Sequence, residues 1–213
     1  SNGTFSVAAT STSGLAASFS STSTEVCTVA DNTVTMLKTG NCALLATQIG
    51  NDNYNAATAV ERTVTIGKAA QTLTFEQPSA QTFAPNGTFS VAATSDSGLA
   101  ASFSSTSADI CTVDSSTGTV TMLKVGDCKL TASQAGNDNY NAATAVERTV
   151  AIAKAAQTLT FAQPVAQTFA SNGTFSVAAT SDSGLAASFS STSTEVCTVD
   201  SSTGTVTMLK VGD

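Results

Sequence analysis

Residues 71–133 read QTLTFEQPSAQTFAPNGTFSVAATSDSGLAASFSSTSADICTVDSSTGTVTMLKVGDCKLTAS. Short alternating runs are separated by turn signals, and that spacing decides the fold. In QTLTF, Leu73 and Phe75 share one face, and Pro78 follows the run. Pro85-Asn86-Gly87 is a tight-turn signal. TFSVAAT then places Phe89 and Val91 on one face and Ser90 on the other. After the SDSG turn, LAASFSS points Leu99, Ala101 and Phe103 inward. ICTV and TVTML flank a hairpin, and CKLTAS aligns Cys128, Leu130 and Ala132. The polar turn GNDNYN at 136–141 precedes a long closing strand, TAVERTVAIAK. That makes about seven strands, rich in Thr, Val and Phe, which suit a half-buried pleated surface. No stretch carries a sustained helical period. The pattern predicts an all-β fold of tandem immunoglobulin-like β-sandwich domains. Small inward alanines such as Ala92 and Ala101 suggest a thin core.

The same text recurs along the chain. NGTFSVAAT starts at Asn2, Asn86 and Asn172, so the offsets are 84 and 86 residues. KAAQTLTF starts at Lys68 and Lys154, and GNDNYNAATAVERTV at Gly50 and Gly136. Over residues 86–127 and 172–213, only three of 42 positions differ. Copy one reads CTVADNTVTML where copy two reads CTVDSSTGTVTML. The two extra residues mark an exposed hairpin loop. Self-similarity at this period is the mark of a domain array. It divides the 213 residues into repeat 1 (1–68, lacking its first strand), repeat 2 (69–154, complete) and repeat 3 (155–213, truncated at its C-terminus). The expected protein is a longer string of such units, in which further copies of the repeat are the nearest partners. About three residues around 68–70 join one unit to the next, and so short a junction favours an elongated array.

Composition narrows function. Hydrophobic residues make up 41% of the chain, enough for real cores, while charged residues make up 11%. Serine and threonine, 29 and 37 residues, fill the gap. There is no histidine, which removes Ser-His-Asp and Cys-His catalysis and His-containing zinc sites. The many serines have no base to activate them. No enzyme activity, cofactor or metal is expected. A net charge of −7 has the wrong sign for nucleic acid or an anionic membrane. No apolar run approaches the ~20 residues of a membrane-spanning helix, so no membrane insertion is expected in this segment. The opening at Ser1 carries no signal-peptide pattern, so any such segment would be absent or already removed.

The combination KAAQTLTF, SGLAASFSSTS, VCTV, TVTMLKVGDC and TASQAGNDNYNAA resembles the tandem Ig-like repeats of large bacterial surface proteins and adhesins. The resemblance covers the whole chain. It implies an extracellular or cell-surface bacterial protein whose repeats usually act as spacers. The expected function is a non-catalytic structural segment of a long fibre or adhesin stalk. The alternatives are repeats that bind a glycan or host surface through avidity, and repeats that self-associate into a filament or sheath through open strand edges.

Five cysteines follow the repeat phase: Cys27 and Cys42 in copy one, Cys111 and Cys128 in copy two, and Cys197 in copy three. One pair per unit predicts disulfides Cys27–Cys42 and Cys111–Cys128, each across a three-strand meander, with the partner of Cys197 beyond the chain end. Each bond would contribute about 3 kcal/mol by loop closure and would imply an oxidising compartment. The alternative is buried free thiols.

Other candidates have two readings each. The GNDNYN loops offer Asp52 or Asp138, with Glu61 or Glu147, as calcium ligands; alternatively they are self-capped polar turns. Tyr54 and Tyr140 are either structural, in the manner of a tyrosine corner, or exposed sugar-stacking rings. Asn2, Asn86 and Asn172 head Asn-Gly-Thr sequons, which turn geometry explains equally. Lys38, Lys124 and Lys210 are candidates for an isopeptide bond or for solvated turn residues.

Overall fold

The computed structural model describes residues 3–212. It is all-β, without an α-helix among the described residues, and is built of Ig-like β-sandwich domains in tandem. The chain divides into two compact units, Ser1–Ala153 and Lys154–Asp213. The first unit contains the first two copies of the repeat.

The second copy shows the complete arrangement. One sheet holds Ser102–Ser105, Gly126–Ser133, Val146–Ala153 and Gln81–Thr82, in that order, the last pair parallel. A second sheet holds Cys111–Val113, Thr119–Met122 and Thr88–Ser90. Leu73–Phe75 pairs antiparallel with Ala93–Ser95, in the register Ala93 to Phe75 and Ser95 to Leu73. Between the layers lie Leu73, Phe75, Val91, Phe103, Leu130 and Val150, among others. Phe75 and Phe103 meet edge to face, with centroids 5.9 Å apart. Burying each of these large side chains is worth about 1.5–3 kcal/mol.

The expected single strand TFSVAAT is in fact broken. Thr88–Ser90 pairs with Thr119–Met122, while Ala93–Ser95 pairs with Leu73–Phe75. Val91 sits buried at the corner and donates its N–H to the Gly118 carbonyl at 2.9 Å. Gly118 has φ of 69°, and a Cβ there would collide with the Val91 carbonyl oxygen. Only glycine accommodates that approach. A similar break separates Leu73–Phe75 from Gln81–Thr82, so the second copy has nine strand segments, not about seven.

The variable hairpin lies where the length difference placed it. Copy one turns through Asp31 (φ 52°) and Asn32 between paired Ala30 and Thr33. Copy two uses a longer loop organised by Asp114. Its Oδ1 accepts N–H groups from Ser116 and Thr117 at 3.0 and 2.7 Å, and both hydroxyls at 2.8 and 2.9 Å. These bonds, the Thr117 N–H foremost, lower the Asp114 pKa to about 2.

Both cysteine pairs are disulfide-bonded, with Cα atoms 5.6 Å apart. Their placement differs from a three-strand meander. Cys111 lies in one sheet and Cys128 in the other. Cys27 and Cys42 likewise lie in different sheets of copy one. The bonds therefore staple the two layers through the middle of the core, where all four cysteines are fully buried. Cys197 is free and half-buried.

Candidate functional site

The residues that the structure brings together lie where copy one meets copy two. The centre is the GNDNYN loop at 136–141. Its shape is set locally. Asn137 Oδ1 accepts the N–H groups of Asn139 and Tyr140 at 2.8 and 2.9 Å. The Asn137 N–H bonds back to the Tyr140 carbonyl at 3.0 Å. Gly136, at φ of 77°, leaves no room for a Cβ beside the Tyr140 carbonyl. Gln134 Oε1 holds the Gly136 N–H at 2.5 Å. This is the self-capping expected of an Asn-rich turn.

The loop's outward groups are used by its neighbours. Ala69, in the connection between copies, donates to the Asn139 carbonyl and accepts from the Asn141 N–H, both at 2.9 Å. From copy one, Thr39 donates its N–H to Asn139 Oδ1 at 3.1 Å and its hydroxyl to the Asp138 carbonyl at 2.8 Å. Thr39 sits in the turn between Thr33–Met36 and Gly40–Thr47. Copies two and three carry Val125 and Val211 at that place in the LK-x-G turn, and valine has no hydroxyl to donate. That departure was the available sequence signal for this contact, and composition gave no reason to single it out.

Beneath the loop is a buried amide that pattern reading also missed. Gln71 donates Nε2–H to Gln134 Oε1 at 2.5 Å and to the Asn141 carbonyl at 2.6 Å. Its Oε1 accepts the hydroxyls of Ser95 and Ser97 at 2.8 and 2.5 Å. Gln71 is thus satisfied on both ends, as a buried polar group must be. It ties the first strand, the SDSG turn and the 136–141 loop into one knot. In copy three, Gln157 keeps the Ser181 and Ser183 bonds at 3.0 and 2.5 Å.

The remaining candidates are placed as follows. Asp138 contributes its backbone oxygen to Thr39, and Asp52, Glu61 and Glu147 are exposed. Among the described residues no group of three or more acids or cysteines could hold a metal. The 50–55 loop repeats the internal bonds of its counterpart, with Asn51 Oδ1 accepting from Asn53 and Tyr54, each at 3.0 Å. The tyrosine-corner expectation is corrected. Tyr54 and Tyr140 serve these loops through backbone groups, and neither hydroxyl is hydrogen-bonded among the described residues. Tyr54 is exposed, whereas Tyr140 is half-buried beside Ala69.

Asn86 and Asn172 turn with φ of 56° and 58°, which accounts for Asn-Gly at both places; Asn2 lies outside the described residues. Lys38 pairs with Glu25 at 3.4 Å and Lys210 with Glu195 at 2.9 Å. Both pairs are exposed and of little energetic weight. Lys124 forms no such ion pair among the described residues.

No protein-family model matches the chain, and no curated protein matches it. Solved structures do. Over 92% of this chain and 77% of theirs, domains EC1–3 of Drosophila N-cadherin superpose at a TM-score of 0.40 with 13% identity. Mouse cadherin-23 EC22–24 gives 0.37 with 16% identity over 92% of this chain and 76% of that one. A C-terminal fragment of intimin, solved with the intimin-binding domain of its translocated receptor, gives 0.31 with 16% identity over 74% and 59%. At these scores the fold assignment rests on the strands and core described above, and no family is assigned.

Proposed function

We propose that the chain is a structural, non-catalytic segment of a long extracellular bacterial fibre or adhesin stalk that spaces a distal function. In this reading 1–68, 69–154 and 155–213 are three Ig-like repeats. The observation that carries it is the clasp between the first two copies. A flexible tether would leave the backbone at 68–70 in water. Here that backbone is paired as a short bridge to the 136–141 loop, and Thr39 of the preceding copy is bonded to the same loop. Each bond contributes only about 0.5–1.5 kcal/mol, but together they restrict rotation about a three-residue connection. Inter-sheet disulfides fit the same role. They belong to an oxidising compartment, and they limit how far a loaded domain extends.

The test is electron microscopy of the native source with an antibody against one repeat. Label spaced along thin fibres rooted in cell envelopes is the expected result. Label confined to the cell interior, or to thick detached filaments, overturns the stalk.

A further inference from the structure

Copy one has an open slot that copy two fills. In copy two, Leu73–Phe75 lies along Ala93–Ser95 and sends two large side chains into the core, leaving Leu73 6% and Phe75 2% exposed. The matching residues of copy one, 9–11, belong to no strand. Beside them runs a groove of about 550 Å³, lined by Val7, Ala9, Phe19, Leu44, Ala46 and Val60. The exposure pattern marks what would cover it. Val150 is fully buried in copy two, whereas its counterpart Val64 is 38% exposed. Ser11 and Ser13, which match the two serines that grip Gln71, bond to each other at 2.7 Å. Gln48, which matches Gln134, already holds the Gly50 N–H at 2.8 Å, leaving the place of the incoming amide open among the described residues.

A strand that fits this slot is therefore specified in detail. It is extended, with glutamine first and leucine and phenylalanine two and four residues on. It runs antiparallel to 9–11, with leucine opposite Ser11 and phenylalanine opposite Ala9. The chain carries that sequence a second time, at Gln157–Phe161. There the strand is held by only three paired residues of Ala179–Ser181. Leu159 is 60% exposed and Phe161 53%. We propose that the groove of copy one is a strand-accepting site, and that its occupant is residues 155–161 of a second copy of this chain. Strand addition to an open edge takes its affinity from main-chain bonds and its specificity from pockets for alternate side chains. Both features are present here, and an open apolar edge left uncovered favours such pairing. Because acceptor and donor occupy different copies of the repeat, the contact is head-to-tail.

Two measurements on the 213-residue chain test this. Sedimentation velocity across a concentration series should show association that the double variant Leu159→Ser/Phe161→Ser abolishes. A fluorescein-labelled peptide of residues 155–163 should bind the wild type and that variant alike, and slow hydrogen exchange at residues 7–12. Replacing its leucine and phenylalanine by serine should weaken binding by at least about 100-fold, as loss of two buried apolar side chains requires. A chain that stays monomeric overturns the second copy as occupant, even where the peptide binds. An unbound peptide, or protection appearing elsewhere, overturns the site itself.

Discussion

Removing the cross-link between Cys111 and Cys128 isolates one contribution to stability. The bond closes 17 residues of sequence, and Cys27–Cys42 closes 15. The chain-entropy relation gives about 3 kcal/mol for each loop at 25 °C. Refolding the protein under a phosphine reductant leaves all four sulfur atoms in place, so only the cross-link is lost. For a domain of this size, 1 kcal/mol moves Tm by about 4–8 °C. Scanning calorimetry should therefore show the reduced transitions of the first two copies roughly 12–24 °C lower. The pair Cys111→Ala/Cys128→Ala should destabilise copy two further, because both sulfurs are fully buried and their removal leaves a void. Copy one should keep its oxidised midpoint in that variant. A reduced protein that melts less than about 4 °C below the oxidised one refutes the reasoning. So do non-reducing digests in which Cys27 is linked to Cys111.

Phe75→Ala should cost about 3–5 kcal/mol, while the equivalent Phe161→Ala should cost under about 1, because Phe161 is 53% exposed; denaturant titration of the two variants distinguishes them. Gln71→Leu strands the Asn141 carbonyl and two serine hydroxyls, and should destabilise copy two by about 2 kcal/mol, read by the same titration. Thr39→Val with Asn139→Ala should accelerate hydrogen exchange at Ala69 and Asn141 by about tenfold while leaving core amides such as Leu130 unchanged. The Asp114 pKa is lowered from 3.8 to about 2 by hydrogen bonds to its charged form, so that stability is complete above pH 4 and falls as pH drops towards 2. Asp114→Asn should flatten that part of an acid titration followed by circular dichroism.

The repeat, the strand alternation and the turns were all legible in the sequence, because each depends on residues close together in the chain. Alternation with period two places Leu73 and Phe75 on one face whatever they meet. Asn-Gly accommodates a positive φ without reference to distant contacts. The length difference between copies located a hairpin because exposed turns absorb insertions. Tertiary structure decided the rest. Whether two cysteines 17 residues apart lie in one sheet or staple two depends on where the chain crosses between layers. TFSVAAT reads as one strand, but the exchange of partners around buried Val91 divides it. Gln71 looks like an ordinary outward residue until Gln134 and Asn141, 63 and 70 positions later, converge on its amide. Thr39 is unremarkable until the fold carries it to Asn139, 100 positions on. Local sequence carries the information for backbone conformation and facing; a hydrogen bond between distant segments exists only once packing has brought both partners within about 3 Å of each other.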